Sequence, residues 1–277
     1  MTLSTRNNFF KGGIAFAALS VGLVAVNGYF AFPAYPASAL SAALRPEGII
    51  QRVLENFVKS SAYVPFWTTL GAVIYSLISI ILILYFFEKT QSPEILFFGF
   101  FVISLSFEVN RIVIPLSEIF TFPAAYLITA SRVLLFGRYF GLFSLFAASV
   151  YAAGLDSQRQ QNVFLVMILA ALVIALNVPI DSLVWDTSLK MHNGYGTMFA
   201  VVEAGILLVS MLTFIISAYT RGSRTYLYIA LGCFLVYAGR SILLNSDTWI
   251  TPLPGLLILA AGTWLIASRL HKEYLWL

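Results

Sequence analysis

Residues 94–116, EILFFGFFVISLSFEVNRIVIPL, form an apolar run of twenty-three residues with a carboxylate, Glu108, and a guanidinium, Arg111, in its second half. At about 1.5 Å per residue, such a run crosses a hydrocarbon core about 30 Å thick. A charge inside hydrocarbon is costly and persists only when it is paired, faces a cavity or is used. Glu108 and Arg111 are three apart, so they share a helix face and can pair with one another.

Seven further runs have the same character, at 12–34, 63–87, 125–153, 162–185, 197–219, 225–245 and 253–270. The run from 125 is longer than a span needs, so its helix is tilted or begins before the hydrocarbon. Composition agrees with a membrane class: 60% apolar residues, 10% charged, and a mean hydropathy of +0.89. These values lie outside the range of soluble domains. The predicted fold is an all-α integral membrane protein, a polytopic bundle of eight transmembrane helices. It divides into a tail and first helix over 1–34, an extracytoplasmic segment over 35–62, and a seven-helix bundle over 63–277. Loops are short, and none is long enough for a soluble domain.

The Lys/Arg bias sets the orientation. With the N-terminus cytoplasmic, that side collects Arg6, Lys11, Lys89, Arg159, Arg221, Arg224, Arg269 and Lys272, and an even number of spans returns the C-terminus there. Short loops and a basic N-terminus fit a bacterial inner membrane. Ala37-Ser38-Ala39 resembles a leader-cleavage site, but the preceding run is longer than a signal core, which favours a retained first helix. Over 46–59, Ile49, Ile50, Val53, Leu54 and Phe57 recur at helical spacing between charges, which predicts an amphipathic helix on the outer surface.

Other ionisable residues lie within the runs: Arg132, Asp181, Glu203 and Arg240, with Arg138 deeper in the fourth run. Counted inward from the outer ends of their helices, Glu108, Arg111, Arg132, Asp181, Glu203 and Arg240 fall in one layer, and Asn177 lies one turn below Asp181. Pro179 removes a backbone hydrogen bond and is expected to kink the fifth helix there. The layer predicts a polar chamber in which Arg111, Arg132 and Arg240 hold an anion while Glu108, Asp181, Glu203 and Asn177 orient them or titrate. Arginine's planar fork suits a carboxylate or phosphate. A buried ion-pair network that fixes helix register is the competing reading of the same residues.

Several chemistries drop out. With one cysteine, Cys233, there is no intrachain disulfide or CxxC site, and His192 and His271 fall on opposite sides of the membrane, too far apart to share zinc. No lysine lies within runs two to eight to carry a retinal, and no glycine-rich nucleotide loop follows a strand. No cofactor is expected, and the net charge of +4 is too dispersed for nucleic acid.

A shift of 129 residues aligns runs two to four with six to eight, placing Arg111 on Arg240, Pro123 on Pro252 and Thr68 on Thr197. Two parallel three-helix halves joined by an inverting helix are similar in topology to sugar transporters of the SWEET type. No sequence motif of that family accompanies the plan. Three function classes follow. The first is a sensor or accessory subunit, with an anionic or zwitterionic small molecule or lipid headgroup as ligand and a membrane or cytoplasmic partner protein for output. The second is a secondary transporter of parallel three-helix repeats. The third is an intramembrane enzyme acting on a lipid or phosphate-bearing substrate. The sequence favours the first, because the inner halves of the helices carry almost no charge.

Overall fold

The computed structural model describes residues 2–31, 61, 63–180, 186, 188–191, 194 and 196–275. The cleavage-site triplet, the amphipathic run over 46–59 and Asp181 lie outside these residues. The described part is an all-α bundle with eight helical segments long and apolar enough to cross a membrane. In chain order they are α1 (Leu3–Ala31), α2 (Tyr63–Phe87), a composite third span, α5 (Ala124–Ala152), α6 (Gln160–Asn177), α7 (Gly196–Arg221), α8 (Thr225–Leu244) and α9 (Pro252–Leu275). The third span joins α3 (Pro93–Ser104), a tightly wound 3-10 stretch (Leu105–Ile112) and α4 (Val113–Phe120).

The first helix packs along α2 and against the 3-10 stretch. Its buried face is Arg6, Phe10, Gly13, Ala17, Ser20, Val24 and Asn27. That three- and four-residue spacing makes one narrow stripe, and its small and polar members suit close packing in a membrane. Arg6 donates to the carbonyls of Phe87 (2.7 Å), Glu88 (2.8 Å) and Thr90. It thereby satisfies carbonyls that the end of α2 leaves without helical partners. The return into α3 is capped by Ser92, whose Oγ accepts from Ile95 N at 3.3 Å, with Pro93 at the first helical position.

Side chains from neighbouring helices hold the 3-10 stretch. Ser76 Oγ donates to Val102 O at 2.7 Å, and Ser106 Oγ donates to Ser76 Oγ at 2.9 Å. At the far end, Pro115 lacks the N–H that would bond back to Ile112 in a three-residue turn. Asn27 Nδ2 supplies a donor there, 3.0 Å from Ile112 O. Gly137 and Gly141 of α5 admit Phe107 and Ser104 at distances that a Cβ would block.

The last two helices are the closest pair. Gly232 and Gly239 of α8 face Gly262 and Gly255 of α9. A Cβ on Gly262 would lie 2.9 Å from Gly232 O, and one on Gly239 would lie 2.9 Å from Gly255 O. Backbone meets backbone along this seam.

The fifth span departs from expectation. Instead of kinking at Pro179 and continuing to 185, α6 stops at Asn177, and Val178 is extended (φ −64°, ψ 122°). The proline ring disfavours helical geometry at the residue before it, and Pro179 has no N–H to continue the ladder, so the helix ends here.

Candidate functional site

Glu108 is the centre of the charged layer. Its carboxylate is buried and accepts from Arg138 through both oxygens, Nε to Oε1 at 3.1 Å and Nη2 to Oε2 at 3.2 Å. Arg111, one 3-10 turn on, places Nε 2.7 Å from Oε2. That N–H is not aligned with the oxygen, so the contact is a charge contact rather than a directed hydrogen bond. The outer nitrogens of Arg111 reach Ser188 O at 3.3 Å and Leu244 O at 2.9 Å. Arg111 therefore ties the loop after α6 to the last turn of α8.

That loop folds inward. Asp186 Oδ1 accepts from the backbone of Ser188 (3.0 Å) and Lys190 (2.9 Å) and from Ser188 Oγ (2.8 Å). Leu189 sits in the left-handed region at φ 54°, which a non-glycine residue seldom adopts. The turn it makes brings Asp186 N to 2.8 Å from Lys190 O. Lys190 Nζ then donates to Asn245 Oδ1 at the end of α8. Burial, together with repulsion from Arg138 and Arg111, lowers the Lys190 ammonium from 10.5 to about 7, against the attraction of Asp186 and Glu108.

Arg240 is buried beside this pair but stands apart from it. Its Nη1 donates to Arg138 O at 3.3 Å, and its guanidinium lies 6.0 Å from the Phe101 ring centre. Among the described residues no carboxylate comes within ion-pair distance of it. Glu203, which lines the same cavity, accepts weakly from Tyr237 Oη at 3.5 Å.

Two cavities meet at Arg138. One, about 60 Å³, lies between Arg138, Glu203, Tyr237, Arg240, Ser241 and Asn245. The other, about 240 Å³, is lined by Ser131, Leu134, Leu135, Arg138, Asp186, Lys190, Met191 and Gly196. The Arg138 side chain is 19% exposed and that of Arg111 0%, so a ligand would meet Arg138 and not Arg111. Around the two cavities stand Arg138, Arg240 and Lys190, with Glu203 and the exposed Asp186.

The sequence-derived layer is thus partly assembled. Glu108, Arg111, Arg240 and Glu203 come together. Arg132 does not: it is exposed, and Arg138 occupies the place expected of it. Asn177 is exposed too, bonded back to Val173 O at 2.8 Å within its own helix. Arg138 lies about 21 Å along α5 from its start, yet lines a cavity with Gly196, the first residue of α7. The beginning of α5 therefore projects past the shorter α7, and Arg132 lies on the projecting part, about 9 Å nearer its tip.

Reading each helix by face as well as by depth would have separated the two arginines. Ser131, Leu134, Leu135 and Arg138 follow the three- and four-residue spacing of one stripe, and all four line the larger cavity. Tyr237, three residues before Arg240, shares its face in the same way. Lys190 and Asp186 carried only a local turn signal, an aspartate two residues before a serine. Comparison with known proteins finds no matching family, no matching curated sequence and no matching solved structure.

Proposed function

We propose that the protein binds a small anionic or zwitterionic molecule, or an anionic lipid headgroup, in the chamber around Arg138 and Arg240. On this reading it acts as a sensor or accessory subunit whose output passes to a partner protein. The observation that carries the proposal is Arg240, a buried guanidinium without a carboxylate partner, beside a cavity that Arg138 also lines. A buried cation with no carboxylate in hydrogen-bonding contact is costly, and a carboxylate or phosphate placed in its fork relieves that cost. The Lys/Arg bias supports both termini on the cytoplasmic side of a bacterial inner membrane, which puts the chamber on the extracytoplasmic side.

Binding is favoured over transport by what lies next to the chamber. Phe97, Phe100, Phe101 and Phe140 are buried in the apolar core, and Phe101 packs directly beneath the Arg240 guanidinium.

Thermal unfolding of the purified protein, with phosphate, a dicarboxylate or a short-chain phosphatidate added in turn, tests the proposal. One of these anions raises Tm with a saturating concentration dependence. Arg240→Gln keeps the basal Tm and loses the anion response. If no anion shifts Tm and Arg240→Gln destabilises as much as Glu108→Gln does, the charges are a structural network and the proposal fails.

A further inference from the structure

A further cavity, separate from the charged chamber, runs between α6 and α7 over a floor formed by α5. Its volume is about 740 Å³ and its walls are almost wholly apolar. Arg159 and Asn162, at the start of α6, are the two strongly polar residues in the lining. From Arg159 the cleft follows α6 to Ala170, about 17 Å along the axis and close to half of a hydrocarbon core of about 30 Å. On the α7 side it ends at Val202. Along α6 the slot is therefore about one leaflet deep, with its single cation at the surface end.

Small residues keep it hollow. A Cβ on Gly205 would meet no atom within 4 Å, and Ala147 and Ala170 line the same space. Arg159 is exposed, and among the described residues no carboxylate pairs with it. An apolar slot of one-leaflet depth, with a cation and an amide where lipid headgroups sit, is complementary in length and charge to a single kind of molecule. We propose that this cleft binds a glycerophospholipid, with one acyl chain in the slot and an anionic headgroup against Arg159 and Asn162. A neighbouring helix would match the apolar walls but gives no account of an unpaired cation at the mouth.

The test is lipid retention by the full chain. Protein equilibrated with nanodiscs of equimolar phosphatidylglycerol and phosphatidylcholine is extracted and examined by native mass spectrometry. Wild type keeps one phospholipid, preferentially phosphatidylglycerol. Gly205→Phe and Val209→Trp, which fill the slot from the α7 side, lose it while keeping the wild-type Tm without lipid. Arg159→Gln keeps a lipid but its preference for the anionic one falls about fivefold, the change that one interfacial cation is worth. Equal retention in wild type and both filled variants overturns the proposal. So does a wild-type dimer that Gly205→Phe dissociates, which would assign the cleft to a second copy of the chain. An unchanged headgroup preference in Arg159→Gln overturns the part assigned to Arg159.

Discussion

Arg138 and Glu108, thirty positions apart on adjoining spans, meet fork to fork, each carboxylate oxygen taking one guanidinium nitrogen. Arg111 crowds the same carboxylate from one turn away, so a single acid serves the fully buried Arg111 and the partly exposed Arg138. Removing that acid takes the nearest counter-charge from both guanidiniums and leaves Arg111 fully buried without an ion pair. Glu108→Gln is expected to cost about 3–5 kcal/mol, read as a large fall in Tm in a fixed detergent. Arg240→Gln, which breaks no ion pair, should stay within about 1 kcal/mol of wild type. A comparable loss in both variants would contradict the separation of Arg240 from the pair.

Arg132 and Arg138 make a matched pair for mutagenesis. Arg132→Gln alters an exposed side chain and should change stability by no more than about 0.5 kcal/mol. Any anion-induced rise in Tm should survive it. Arg138→Gln removes both the Glu108 fork and the wall common to the two cavities, so the basal Tm falls and the anion response disappears. An anion response lost with Arg132 and kept with Arg138 would reverse the assignment.

Eight apolar runs were readable without coordinates because a bilayer demands length and apolarity, and sequence displays both. The run at 63–87 has the bounds of α2 itself. What failed was the assumption that all helices begin on one plane. The start of α5 stands above its neighbours, so equal counts from helix ends gave unequal heights and brought Arg132 into the layer instead of Arg138. The halt of α6 at Asn177 was missed for a related reason. Loss of one backbone hydrogen bond at Pro179 predicts a kink within a run that stays apolar to 185, yet hydropathy alone does not keep a backbone helical.

Lys190 predicts a pH dependence with a definite sign. Its folded pKa, about 7, lies below the ordinary 10.5, so between those values the unfolded chain holds the additional proton. Stability therefore rises with pH across that window and is lowest at or below about pH 7. An anion beside Lys190 favours the charged ammonium, so anion affinity should fall as pH rises through about 7. Tm and anion titrations on both sides of that value check the two trends. Lys190→Met should flatten both.

At Gly239 the seam between α8 and α9 leaves no room for a Cβ. Gly239→Val forces a branched group against the backbone of α9, with an expected cost of about 1–3 kcal/mol or more. Gly22→Val on α1, where a Cβ meets nothing within 4 Å, is the control and should leave Tm nearly unchanged. A similar loss at both positions would argue against a packing origin.

Winding sets the aim of Arg111. In a three-residue turn, Leu105, Glu108 and Arg111 stand directly above one another, whereas an α-helix would fan each successive pair apart by about 60°. Relaxed to α-helical pitch, the span would swing the guanidinium off Ser188 and Leu244 and unfasten the inward loop from α8. The span thus behaves as a threaded rod: Asn27 and Ser76 grip its ends, and the tightness of its thread decides whether the chamber wall is locked in place.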